Sequence, residues 1–185
     1  MSLLSIEELQ RLISLASGPR AGSDMVMLVD NAGTIVEGEA MARVYPDGKS
    51  RLDIAGWYWG QSAHSESGAV DAARHLTPLT VVRQADAASG SLAILASNRT
   101  RKISARISLY RSGGDSTVVS TEPLFEVNID EAQIVGQYFV TGSDGTLKEV
   151  LVFSYRSVQL KMAPQKITGS RGAVRECMIT TGSGS

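Results

Sequence analysis

Cysteine is all but missing: the 185 residues hold one, Cys177, so no internal disulfide can form and a reducing compartment is the natural home. Histidine is nearly as scarce. His64 and His75 form no Cys/His set with zinc-ligand spacing, and neither a metal nor a cofactor is expected. Charge of one sign is lacking too, since eighteen Lys plus Arg against nineteen Asp plus Glu leave a net charge of -1. That balance argues against nucleic-acid coating and polybasic membrane binding. Apolar runs are short: Met25 to Val29 falls far below the ~20 residues of a membrane-spanning helix, so no membrane insertion is expected. Glu7, Glu8 and Arg11 interrupt the apolar N-terminus, which removes the pattern of a secretory signal and predicts synthesis and folding in the cytoplasm.

What is present is 43% hydrophobic residues in a length that fits about one domain, enough to bury roughly 70% of the unfolded surface. Ser5 and Glu8 read as a capping box, and Ile6, Leu9, Leu12, Ile13 and Ala16 recur at helical spacing until Gly18-Pro19. Residues 18 to 24 read as a link. The expected organisation is therefore a helical extension over 1–24, a main domain over 25–180 and a flexible tail over 181–185.

In the main domain the period becomes two. Ile103, Ala105, Ile107 and Leu109 alternate with Lys102, Ser104, Arg106, Ser108 and Tyr110, which predicts one dry and one wet strand face. Further strands are expected at Met25 to Val29, Thr34 to Val44, Arg51 to Gly60, Leu76 to Arg83, Leu124 to Ile129, Gln133 to Val140 and Val174 to Ile179. Leu147 to Met162 is too long for one straight strand, and its apolar phase switches from odd to even positions, so a bend is expected near Ser154 to Ser157. One helix interrupts the strands, with Asp86 as N-cap and Ala87, Ala88, Leu92, Ala93, Leu95 and Ala96 following. Many short strands around one helix imply a barrel or a two-sheet sandwich.

Chemistry is hard to find. A Ser/His/Asp set can be written from Ser65 or Ser67, His75 and Asp71, but triads are defined by geometry, and residues 61 to 73 have loop composition. Cys177 beside Met178 in a terminal strand reads as a buried inert thiol. Arg99, Arg101 and Lys102 read as a solvated helix end rather than a nucleic-acid patch. The glycine pairs are hairpin turns, and no catalytic residues are expected.

One segment is distinctive. Asp53-Ile54-Ala55-Gly56-Trp57-Tyr58-Trp59-Gly60 sets the two tryptophans at i and i+2 and resembles the W-x-W-G strand of the Hcp family, the tube protein of bacterial type VI secretion systems. Leu79 to Arg83 looks like that family's strand before its helix, and Asp86-Ala87-Ala88-Ser89-Gly90-Ser91-Leu92 resembles its D-x-A-S-P-x-L helix start. Asn98 and Tyr110 to Gly114 match the turn and hairpin that follow. Glu149 to Met162 is similar to the long E-x-V strand, and Ala163-Pro164-Gln165-Lys166 with Gly169 resembles T-P-Q-K-x-x-G. Gly90 replaces the usual proline, Val82-Arg83 a common Thr-Lys, and Met162 a tyrosine; residues 1 to 24 have no counterpart.

The resemblance implies a mainly β fold, a two-sheet small β-barrel with one flanking α-helix, here with a short N-terminal helix added. It further implies a homohexameric ring, stacked copies forming a hollow tube, and a spike protein, a contractile sheath and secreted effectors as partners. The chain would be a structural protein, not an enzyme, exported through the type VI apparatus without a signal peptide. Alternatives are a ring-forming paralogue acting as adaptor or cap, and a phage-like contractile tail-tube protein. On this reading Trp57 and Trp59 form a core pair ended by Gly60, and Tyr58, on the opposite strand face, is the lumen and effector-contact candidate. The loop Gln61 to Ala73 resembles the family's ring-stacking loop, with Gln61, Ser62, His64, Ser65, Glu66, Ser67 and Asp71 as candidate contacts.

Overall fold

Ser5 and Glu8 satisfy one another at the start of α1 (Ile6–Ala16). The Glu8 amide donates to Ser5 Oγ at 3.2 Å and the Ser5 amide to the Glu8 carboxylate at 2.8 Å, the reciprocal pair that the sequence spacing predicts. The computed structural model describes residues 4–16, 23–39, 45, 47–64, 73–111, 122–141, 145–164 and 172–181.

Ten strands form one twice-folded antiparallel sheet whose halves face each other. In the first half, β1 (Ser23–Asn31) carries β2 (Thr34–Ile35) and β3 (Leu52–Asp53) on one edge and β8 (Ile103–Arg111) on the other. Next come the first part of β9 (Phe125–Thr141), then β11 (Ser157–Met162) and β12 (Arg175–Thr180). The second half runs from the later part of β9 through β10 (Leu147–Ser154) and β7 (Leu79–Gln84) to β4 (Gly56–Tyr58). The run from β3 to β4 links the halves on the other side, the Ile54 amide donating to the Met25 carbonyl at 3.2 Å and the Ala55 amide to the Val82 carbonyl at 2.7 Å, and β12 is an end strand.

The fold between the halves lies in a two-stranded ribbon. β9 runs for 17 residues opposite β10 and β11, and both sides bend at the same level. Glu131 takes the left-handed conformation (φ 48°), the register against β8 slips there, and the apolar phase of β9 moves from Val127 and Ile129 to Ala132 and Ile134. Opposite it the strand is interrupted at Tyr155 and Arg156, inside the span where the phase switch predicts a bend; the Arg156 amide donates to the Asp130 carbonyl at 3.1 Å. The expected pair of strands, Leu124 to Ile129 and Gln133 to Val140, is thus one continuous bulged strand.

Inward-facing side chains of both halves make the core, among them Met27, Val29, Ile103, Ile107, Val127, Leu79, Val81, Leu151 and Phe153. Helix α2 (Ala88–Ser97) adds Ala88, Leu92 and Leu95 to it. The β1–β2 turn has positive φ at both Ala32 (50°) and Gly33 (96°), the pair a twisted two-residue hairpin requires. The outer face of β8 is drier than its alternation predicts: Tyr110 is buried with Val26 and Tyr45, and Arg51 lies 5.0 Å over the Tyr45 ring. Thr34 to Val44 yields a strand only at Thr34–Ile35, and residues 40–44 lie outside the described set. Cys177 corrects the buried-thiol expectation. It is exposed, because β12 is an end strand that among the described residues pairs with β11 alone.

Two features tie the helices down. Arg83 and Glu149, 1% and 0% exposed, pair at 2.9 Å on the inner face, and Arg83 also reaches Asp86 just before α2. Ser89 Oγ and Gln137 Nε2 donate to the same Glu149 carboxylate, at 2.9 and 2.5 Å. Asp86 accepts the Ala88 amide at 2.9 Å, so it caps α2 as its residue type predicts. Burial alone would raise the Asp86 carboxyl, but hydrogen bonds from Arg83 and from the Glu39 and Ala88 amides outweigh it and hold the carboxyl below its ordinary value. Helix α1, read as part of an extension, packs on the outer face of β7 and β10: Ile13 is buried with Val82 and Val150, flanked by Leu9, Leu12, Ala16, Tyr138 and Val140. Ile6, counted in its apolar stripe, is exposed.

Replacing Glu149 by Ala leaves the buried Arg83 with Asp86 alone and takes the acceptor from Ser89 and Gln137, and it costs about 3–5 kcal/mol, read as a lower urea midpoint. The lowered Asp86 carboxyl adds stability that is present above the unfolded value, about pH 4, and is lost as pH falls through the folded one. Asp86→Asn therefore flattens the loss of stability between neutral pH and about pH 3, measured as urea midpoints across that range.

Candidate functional site

Alternation in β4 decides which way each aromatic points. Trp57 faces the core and stacks on Phe125, ring centroids 5.7 Å apart and planes within 13°. Trp59, past the strand end, also packs against the core, and its indole N–H donates to Tyr155 Oη at 2.5 Å. Tyr155 in turn donates to the Thr77 carbonyl at 2.8 Å. Burial raises the Tyr155 phenol above its ordinary value despite the hydrogen bond from Trp59, so it remains a proton donor well into the alkaline range. The tryptophans are a core pair, and Tyr58 lies on the other side with 51% of its surface exposed.

Gly60 closes this segment. Its amide donates to Thr77 Oγ at 2.8 Å, and the Thr77 amide donates back to the Gly60 carbonyl at 2.9 Å. From that clamp a separate two-stranded arm leaves the body: β5 (Gln61–His64) pairs with β6 (Ala73–Leu76), from Gln61 opposite Leu76 to His64 opposite Ala73. Loop composition concealed these pairings, which leave few apolar side chains to bury. Gln61 and Ser62 are exposed on β5, and His75 is exposed on β6. Ser65, Glu66, Ser67 and Asp71 lie outside the described residues.

The outer face beside Tyr58 carries a groove of about 480 Å³ between α1 and the second half of the sheet. Thr80 and Val152 line it with Tyr58, Leu4 and Leu12, and Glu8 and Arg11 also border it. Sequence reasoning missed this groove. Its one local sign is the match of small residues, since a Cβ on Gly56 would lie 3.2 Å from Ala16 Cβ, and the bare backbone lets α1 approach β4. Nothing local announces that Tyr155, 96 positions along the chain, accepts the Trp59 hydrogen bond. Among the described residues no group of three His, Cys, Asp or Glu is placed to hold a metal ion, and no helix is long and apolar enough to cross a membrane.

Residues 27–162 match the family described as "Type VI secretion system effector, Hcp". No curated protein matches the chain. Among solved structures, a type six secretion system protein aligns with TM-score 0.65 and 21% identity, over 84% of this chain and 92% of its own. Hcp1 from Salmonella typhimurium aligns with TM-score 0.62 and 14% identity, over 86% and 95%. A type VI secretion system effector from Yersinia pestis aligns with TM-score 0.60 and 14% identity, over 84% and 99%. At these identities the structures speak for the fold.

Tyr155→Phe leaves the Trp59 indole without its acceptor and the Thr77 carbonyl without its donor. The expected cost is about 1–3 kcal/mol, read from tryptophan fluorescence during urea unfolding.

Proposed function

The chain belongs to the Hcp family of type VI secretion system proteins, and from that membership we propose that it is an inner-tube subunit that closes into hexameric rings and carries exported effectors. The observation that carries the reading is the family match across residues 27–162. The two-sheet body with its flanking α2 agrees with it. No reaction is assigned to the chain: its work is assembly and carriage, with the spike, the sheath and the effectors as partners. Synthesis in the cytoplasm is followed by export through the apparatus itself.

Within this reading Tyr58 contacts effectors. A half-exposed phenol on a rigid strand offers apolar area and a hydroxyl at little cost in side-chain freedom, which suits weak capture by a wall. The arm of β5 and β6 stacks one ring on the next, because it projects as a ribbon from a clamped base and adds nothing to the main core. A second reading, a ring-forming adaptor or cap, is favoured by one observation: α1 lies on the same outer face as Tyr58.

Native mass spectrometry tests ring formation; a particle of six times 19.7 kDa is expected, and a stable monomer at working concentration overturns both readings. Deleting residues 62–74 should leave that mass less the deleted segments and abolish end-to-end polymers in negative-stain images; persistent tubes refute the stacking role. Tyr58→Ala should keep the ring and weaken protection of a co-expressed effector from protease by several-fold. Unchanged protection removes Tyr58 from the contact surface.

A further inference from the structure

The outer face of the second half-sheet is unusually apolar for a surface. Val82 on β7, Val150 and Val152 on β10, and Tyr138 and Val140 on β9 lie on it, while Val81, Leu151 and Phe153 point to the core on the opposite side. A face of this kind needs a cover, and α1 supplies one.

As a cover α1 is incomplete and easily lost. It has 11 residues, fewer than the ~12–15 at which isolated helices become even marginally stable, so its helical form depends on being docked. Its first apolar residue, Ile6, is 75% exposed, and a groove of about 480 Å³ stays open along its flank. The fit is nonetheless specific: Ala16 sits against the bare backbone of Gly56, and Ile13 is buried between Val82 and Val150. The face therefore selects a short amphipathic helix with branched apolar residues at helical spacing and a small residue where it crosses β4.

We propose that this face is a docking groove for an amphipathic helix, that α1 fills it in cis, and that an exported effector bearing a helix of the same pattern displaces α1 to bind beside Tyr58. The identity of the partner rests on the effector-carrying reading above; the groove and its cover do not. Displacement needs no other rearrangement, because the helix melts as it leaves and the sheet beneath it is held by its own ladder.

The test uses the full chain and a fluorescent peptide spanning residues 4–17 as the helix probe. Ile13→Glu places a charge in the buried contact and frees the groove, so this variant should bind the peptide at least about tenfold more tightly than the parent chain, where α1 competes in cis. Adding Gly56→Leu fills the notch that takes Ala16 and should abolish that binding. In a Cys177→Ser background, Ala16→Cys with Gly56→Cys puts two Cβ atoms about 3.2 Å apart, within a small shift of disulfide geometry; oxidation should lock α1 and exclude the peptide. If the Ile13→Glu chain keeps its native mass and loses only the far-UV helix signal of α1 yet fails to bind, or the locked chain binds as well as the freed one, the groove is refuted. Disulfides that join position 16 of one chain to position 56 of another, rather than closing within a chain, would assign the groove to a second copy and overturn the effector assignment. Native mass is recorded in every arm, so loss of the ring reading is seen separately from loss of the groove.

Discussion

Two opposite charges with no water to turn to hold this fold in register. Arg83 on β7 and Glu149 on β10 are both buried and pair with one another, and Arg83 has a second carboxylate in Asp86. Around them the partners are specific: Asp86 and Ser89 at the start of α2 and Gln137 on β9 add hydrogen bonds, and Arg83 Nε alone of the cluster is left without one. Slipping β7 by one residue along β10 would turn Arg83 out of the cluster, set Val82 or Gln84 opposite Glu149 and leave that buried carboxylate without its guanidinium. The network thus fixes strand register, anchors the one core helix and leaves the opposite side of the same strands free to be apolar.

That opposite side is where the molecule departs from a plain two-layer barrel. Strands β7 and β10 are buried on both faces, by the core within and by α1 without. Tyr58 borders the same outer face, so the residue that reads as a contact for effectors and the helix that reads as an added piece belong to one surface. On the proposed tube-subunit reading such a neighbour matters, because whatever covers that face competes with whatever the face binds.

Much of this was legible in the residues, and the parts that were not share a cause. The Ser5 and Glu8 cap, the Asp86 cap, the inward tryptophans with Tyr58 opposed and the bend after Ser154 all follow from spacing, since each depends on neighbours within a few positions. What spacing could not supply was long-range. The bulge at Glu131 that joins two expected strands into β9 is required by the partners on either side of it, not by a glycine that would have marked the place. Burial of Tyr110 depends on Val26 and Tyr45, and exposure of Cys177 on being at the end of a sheet. Docking of α1 was hidden because an amphipathic stripe states that a helix packs without stating on what.

The ribbon of β9 against β10 and β11 has a further implication for how the body comes apart. Because the same two lengths of chain run through both halves, neither half owns a complete set of strands, and the core between them has no seam along which to open. Heat or denaturant must therefore dismantle both halves in a single all-or-none transition, with no half-formed body left standing to aggregate.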